Sequence, residues 1–220
     1  MTSPSTIADR VAEMHAAAAT SSGEQATPFR REQAMLAARG VPPGVAPAGT
    51  IVPDTELLDP YGAVTTLDAA TSNRTSVVVF YRGAWCPYCN IALAAYQSHL
   101  LPQLTDRGVR LIAISPQKPD GSLTMQQKHD LAFTVLSDPG NVIARHLGIL
   151  TQPSEEARAA QLQLGLDLTS VNADGTVTLP MPATIILSGD HVVRWIDVHS
   201  DYSSRTEPSQ ILQALDEAGL

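Results

Sequence analysis

"VVVFYRGAWCPYCN", residues 77–90, runs a series of β-branched and aromatic residues straight into both cysteines of the 220-residue chain. "TSVVVFY", residues 75–81, is a continuous apolar run of the kind a strand buried on both faces requires. Pro87 fits the first turn of a helix, where its missing N–H costs little. That helix is predicted to run through Ile91, Ala94, Ala95 and Leu100 to Gly108, with a kink at Pro102. Cys86 and Cys89 therefore stand where a buried strand hands over to a helix.

Three chemistries compete for such a pair. Tetrahedral zinc needs four nitrogen or sulfur ligands, and this C-x-x-C supplies two, with no second pair and no closely spaced histidines. The six histidines, at positions 15, 99, 129, 146, 191 and 199, are scattered. A structural disulfide would close too small a loop to constrain the unfolded chain much. Redox catalysis is the reading that remains. With Cys86 at the N-cap, unpaired backbone N–H groups and the positive helix end should stabilise its thiolate and lower its pKa. Cys89, one turn inside the helix, should stay a thiol and discharge a sulfenic acid or mixed disulfide formed on Cys86. Trp85 would shield one side. Arg82 would add positive charge or hold a peroxide oxygen, unless it is simply a surface residue.

Around this junction the chain alternates strands and helices. "VRLIAIS" and "LAFTVLSD" read as further strands, with a polar helix over residues 122–130 between them and a short helix at 141–147. This order argues for parallel crossovers. Short strands flank a turn at Asp59–Gly62, where "DPYG" carries turn chemistry. "SEEARAAQLQLG" reads as an inserted helix and "NADG" as a turn. "MPATIILSGDHVVRWIDV" reads as an antiparallel hairpin, with Pro182 at the strand entry and able to be cis, and a helix bearing Ile211, Leu212 and Leu215 ends the chain. Leu111, Ile112, Ile114, Ile185, Ile186 and Leu187 are predicted core. Residues 3–39 read as one or two helices, with Ile7, Val11, Met14 and Ala18 at helical spacing. The Pro- and Gly-rich stretch 40–49 is a linker. The division is thus an arm over 1–49 and an α/β domain over 50–220, with the arm covering its own domain or making a homodimer contact. "HSDYSSR", residues 199–205, gathers His199, Asp201, Tyr202 and Arg205 and reads either as a border of the active site or of a dimer contact or, better, as a hydrogen-bonded loop anchor.

Composition sets the boundaries of function. With 14 Lys and Arg against 22 Asp and Glu, the net charge is −8. No stretch concentrates the basic residues that a nucleic acid or an anionic membrane surface would require. No secretory leader or membrane-spanning run is read, so a cytoplasmic location is expected.

In "FYRGAWCPYCN", "LIAISPQKPD", "LAFTVLSDPGNVIARHLGI" and "MPATIILSGDHVVRWIDVHSDYSSRTEPSQIL", together with "PDTELLDPYGAVTTL", the chain resembles the peroxiredoxin-like branch of the alkyl hydroperoxide reductase and thiol-specific antioxidant family, over residues 50–218. The resemblance implies a thioredoxin-like fold, a mixed sheet flanked by helices, with the arm and an inserted helix added. It implies an enzyme that reduces hydrogen peroxide or organic hydroperoxides, with Cys86 as peroxidatic cysteine and Cys89 resolving it. Electrons would come from thioredoxin or a similar dithiol, and no cofactor or metal is called for. The family's Pro and Thr, seven and three residues before the reactive cysteine, are here Val79 and Gly83. No Arg stands just before residues 183–187, so Arg82 or Arg194 would have to substitute. The segment around Trp85, Cys86, Cys89 and Pro182 is also similar to thioredoxin and the TlpA-type reductases. A dithiol-disulfide oxidoreductase is therefore the alternative, and a non-enzymatic redox-responsive binding module is a third.

Overall fold

The computed structural model describes residues 5–19 and 25–220. The predicted helical start at residue 3 and the stretch 20–24 lie outside them. Two helices open the chain, α1 (Ile7–Ala19) and α2 (Thr27–Arg39), followed by the short pair β1 (Glu56–Leu58) and β2 (Val64–Thr66) and by α3 (Leu67–Thr71). Next come β3 (Ser76–Phe80), α4 (Pro87–Ala95), a π-helical turn over Tyr96–Leu100, α5 (Leu101–Asp106), β4 (Arg110–Ser115), α6 (Pro119–Lys128), β5 (Thr134–Ser137) and α7 (Val142–His146). The inserted region holds β6 (Leu150–Thr151), α8 (Glu155–Gln163), α9 (Leu168–Val171) and β7 (Leu179–Pro180), and β8 (Ala183–Leu187), β9 (Val193–Val198) and α10 (Pro208–Glu217) complete the chain.

Seven strands form one mixed sheet in the order β2-β1-β5-β4-β3-β8-β9. β3 lies at its heart, parallel to β4 and antiparallel to β8, and every residue of it is buried. The uninterrupted apolar run follows from that position, because both faces are covered. Val77 and Val79 pack with Leu93, Leu111, Ile211 and the arm residues Ile7 and Val11. Val78 and Phe80 pack on the opposite face with Ile112, Ile114, Ile143 and Ile185. Each fully buried aliphatic side chain contributes roughly 1.5–3 kcal/mol, so the two layers clamp the strand that delivers the cysteines. The predicted crossovers, the hairpin and the six predicted core residues are all found as expected.

Two features differ from expectation, and one left open, the isomer at Pro182, is decided. The helix after the cysteines is not simply kinked at Pro102. It widens into a π turn over residues 96–100, and the N–H of Leu101 reaches back five residues to the carbonyl of Tyr96. The turn lies immediately ahead of the proline, which has no N–H to continue the α ladder. The short helix α3, the two-residue ribbon β6–β7 and the single turn α9 were not predicted. The ribbon pairs Leu150 with Pro180 and Thr151 with Leu179, closing the insertion at its base. The Met181–Pro182 bond is trans, as no cis peptide occurs among the described residues, and trans is the isomer that X-Pro bonds prefer.

The loop from β3 to α4 is shaped by a glycine. Gly83 sits at φ 147°, and a Cβ there would lie 2.6 Å from Oε1 of Gln117 and collide with the indole of Trp85. That same Gln117 Oε1 accepts from the N–H of Ala84 at 2.6 Å, locking the turn that precedes Cys86. Asn90 completes it, donating to the carbonyls of Ala84 and Cys86 at 3.0 and 2.9 Å.

The arm is tied to the far end of the chain. Glu207, the N-cap of α10, accepts from the N–H groups of Ile7 and Ala8 at 3.0 and 2.9 Å, satisfying two donors that the start of α1 leaves without an intrahelical partner.

Two outcomes are expected. Gly83→Thr should cost about 3 kcal/mol through backbone strain and overpacking together, read as a lowered urea midpoint; an unchanged midpoint contradicts the steric account. Glu207→Ala should cost about 1 kcal/mol, the usual value of a lost cap, and should speed amide hydrogen exchange in the first turn of α1 while leaving β3 protected.

Candidate active site

Cys86 is the N-cap of α4, in an extended conformation, and Asn90 N–H donates to its carbonyl as the first helical bond. The predicted strand-to-helix hand-over is thus present. Both cysteines are free thiols, and both are buried, Cys86 1% and Cys89 0% exposed.

The sulfurs share one cation, supplied by the segment after the last strand. Arg205, in the loop after β9, donates from Nη2 to Cys89 Sγ at 3.0 Å and to Cys86 Sγ at 3.8 Å. Its Nη1 is held by the carbonyls of Tyr202 and Ser204. The segment 199–205 therefore borders the cysteine pair rather than serving only as a loop anchor. The clue was a His, an Asp, a Tyr and an Arg gathered after the last strand, but nothing in the sequence linked Arg205 to cysteines more than a hundred residues earlier.

The hydrogen bond between the sulfurs, together with this cation, reverses the predicted order of acidity. Burial pushes the Cys86 thiol well up, and the hydrogen bond and negative charge of Cys89 add to that, against the pull of Arg205 and Arg82. Burial also opposes ionisation of Cys89. There the hydrogen bond with Cys86, the charge of Arg205 and a backbone N–H of Arg82 prevail, and the thiol falls to about 5. No side-chain capping bond forms at Cys86, so the first N–H groups of the helix add no hydrogen bond to its sulfur.

Arg82 is not a surface residue. It is 4% exposed, with its guanidinium carbon 4.0 Å from the ring centroid of Tyr202 and 5.1 Å from that of Trp85. Among the described residues no carboxylate pairs with it, and its Nε has no hydrogen-bond partner. Trp85 is half-buried beside Cys86 and packs against the core. Pro182 lines a small cavity with Cys89, Thr184, His199 and Arg205, so the structure brings it to the rear of the pair. Arg194, by contrast, is exposed on β9 and lines neither cavity beside the cysteines. Behind Arg205, His199 Nε2 lies 2.9 Å from Asp197 Oδ2, and Thr206 Oγ1 donates to the same carboxylate oxygen at 2.8 Å. Among the described residues no group of three His, Cys, Asp or Glu is placed to hold a metal ion, and no helix is long and apolar enough to cross a membrane.

The two cysteines face different spaces. Cys86 lines a cavity of about 830 Å³ together with Arg82, Trp85 and Tyr202, while Cys89 lies on the side of Pro182 and Arg205.

Comparison with known proteins places the chain in a family. Residues 48–196 match the AhpC/TSA family. Peroxiredoxin Bcp of Escherichia coli K12 is 29% identical over 107 residues, 49% of this chain and 67% of the relative. Peroxidoxin BcpB from Mycobacterium tuberculosis superposes with a TM-score of 0.59 at 18% identity, covering 78% of this chain and 96% of that one. Reduced Prx3 in complex with H2O2 from Vibrio vulnificus gives 0.61 at 18% identity, over 77% and 99%. The family model spans most of the chain and the relatives share its sheet and helices, so the chain belongs to the AhpC/TSA family of peroxiredoxin-like, thioredoxin-fold thiol peroxidases.

Proposed function

We propose that the chain reduces hydroperoxides with Cys86 as the attacking sulfur and Cys89 as the partner that resolves it. The observation that carries this reading is the division of space around the pair: Cys86 opens on the large cavity beside Arg82, and Cys89 lies behind it against Arg205. In the resting pair one negative charge is shared, seated on Cys89 and hydrogen-bonded by the Cys86 thiol. Attack requires the charge on Cys86, so the proton within the pair passes to Cys89 while Arg82 and Arg205 favour the thiolate on Cys86, and that sulfur attacks the terminal peroxide oxygen. The O–O bond breaks, Cys86 becomes a sulfenic acid, and the departing alkoxide takes the proton to leave as an alcohol. The Cys89 thiolate next attacks the sulfenic sulfur, forming the disulfide and releasing hydroxide, which solvent protonates to water. An external dithiol, thioredoxin or a similar donor, returns two electrons and two protons. The sum is one hydroperoxide and one dithiol consumed, with one alcohol, one water and one disulfide formed.

Arg205 and Arg82 have separate parts in this scheme. Arg205 fixes the charge of the pair. Arg82, on the cavity side, faces the position where the peroxide oxygens bind and where negative charge develops on the leaving oxygen. It takes the place of the threonine that the family carries where Gly83 has no room for a side chain.

Cys86→Ser should abolish peroxide consumption. Cys89→Ser should permit a single turnover and leave a sulfenic acid that dimedone traps. Wild-type protein that leaves peroxide untouched yet reduces an insulin disulfide would replace this reading with dithiol-disulfide exchange. The ultraviolet thiolate absorbance should titrate with a midpoint near 5, set by the depressed Cys89. Activity is then lost as pH falls through that value. Because the folded-state pKa of Cys89 is lowered, its contribution to stability is full above the ordinary thiol pKa and fades as pH drops to about 5, whereas the raised Cys86 thiol disfavours folding as pH climbs past the ordinary thiol range. Arg205→Met should move the midpoint up toward the ordinary thiol range; an unmoved midpoint removes Arg205 from the mechanism.

A further inference from the structure

The cavity in front of Cys86 is far larger than hydrogen peroxide needs. Its volume is about 830 Å³, in the range of sites that enclose a drug-sized ligand, whereas a molecule the size of water occupies about 30 Å³ of liquid. Its floor is the cysteine loop, with Arg82, Trp85, Cys86 and Tyr202, and its walls come from two other parts of the chain. Met14 and Ala18 of α1 and Phe29 of α2 supply an apolar side from the arm, and Leu164 and Leu166, just after α8, supply the opposite one. Of these, α1 and α2 precede the residues that match the family, which begin at 48.

The arm is also fastened to the dipeptide between the cysteines. Gln33 Nε2 donates to the hydroxyl of Tyr88 at 2.9 Å, His15 Nε2 lies 2.9 Å from the same oxygen, and the His15 and Tyr88 rings meet edge to face at 5.6 Å. Most of the lining is apolar, and the Arg82 side chain stands beside the reacting sulfur. A site of that make-up is built for an amphipathic small molecule rather than for water.

Resting on the peroxidase reading above, we propose that the N-terminal arm and the end of α8 form a specificity site that selects hydroperoxides with a long apolar body over hydrogen peroxide. The hydroperoxide group lies against Arg82 and Cys86, and the hydrocarbon body lies between Met14, Ala18 and Phe29 on one side and Leu164 and Leu166 on the other. Selectivity arises because the apolar body leaves water only for substrates long enough to reach those walls, and part of that gain carries through to the transition state.

The test compares a twelve-carbon alkyl hydroperoxide with hydrogen peroxide in single-turnover oxidation of the reduced protein, for wild type and for Ala18→Phe and Leu166→Trp, which fill the cavity from independent walls. The wild-type second-order rate constant should favour the alkyl hydroperoxide by about tenfold or more, the scale on which a few buried methylenes discriminate. Each filling variant should lower that ratio by a similar factor. A wild-type ratio near one, or variants that slow both peroxides equally, overturns the proposal. A second measurement separates its failure from that of the peroxidase reading. Calorimetric binding of 1-dodecanol, which carries no peroxide, to Cys86→Ser protein should be detectable and should weaken about tenfold on adding either filling substitution. If neither peroxide is consumed yet dodecanol binds in this pattern, the ligand site stands and the peroxidase reading falls. If dodecanol does not bind, the site itself is wrong whatever the peroxide rates.

Discussion

A guanidinium and a thiolate make each other's burial tolerable. Taken alone, either ion would be expensive to remove from water. Arg205 lies within hydrogen-bonding reach of both sulfurs, and two backbone carbonyls of its own loop fix its other nitrogen. The loop after β9 must therefore close over the start of α4 for the pair to carry charge. Neighbouring residues hold it there: the hydroxyl of Tyr96, at the π turn, donates to the carbonyl of Thr206 at 2.7 Å, and the next residue, Glu207, caps both α10 and the arm. One short segment thus connects the sulfurs to the widened helix and to the arm that walls the cavity.

Magnitudes explain why the helix terminus loses to the arginine. A helix N-terminus contributes roughly 0.3–1 kcal/mol to a neighbouring negative charge at exposed sites. A full charge about 4 Å away contributes roughly 4 kcal/mol gross at an effective dielectric of about 20. The cation is closest to Cys89, and Cys86 makes no side-chain capping bond to claim the helix end. The charge therefore settles on the inner sulfur while the outer one keeps its proton and its access to the cavity. Acidity and exposure to substrate, expected together on Cys86, are divided between the two residues and joined by the hydrogen bond linking them.

Legibility in the sequence tracked the range of the interactions involved. β3, β4, β8 and the hairpin could be read because apolar runs and tight turns are local signals. The cysteine junction could be read because Pro87 marks a first helical turn. The ribbon β6–β7 escaped because two-residue strands have no periodicity to detect. Arg82 looked ambiguous because an arginine after a strand is usually solvated, and only the tertiary fold lays Tyr202 beneath it. Arg205 was beyond reach for the same reason, since contacts between distant segments leave no mark on spacing. Gly83 is intermediate: its departure from the family pattern was visible, but the cause, the side chains of Trp85 and Gln117 occupying the space, was not.

The two arginines also show how one kind of side chain is kept in two states. Arg205 is spent on the sulfurs and on carbonyls, so its charge stabilises the resting pair. Arg82 lies instead against the faces of Tyr202 and Trp85. Aromatic faces hold a cation by their quadrupole, at roughly 0.5–2 kcal/mol, without neutralising it as a carboxylate would. Among the described residues no acid stands within ion-pair distance of it. Its field therefore extends into the cavity, toward a group that carries no charge when it arrives and acquires one as the O–O bond breaks. An arginine already paired with an acid would have to surrender that partner at the moment of reaction. One seated on aromatic rings is oriented beforehand and needs no rearrangement, and that is the condition under which an electrostatic group lowers a barrier rather than merely tightening binding.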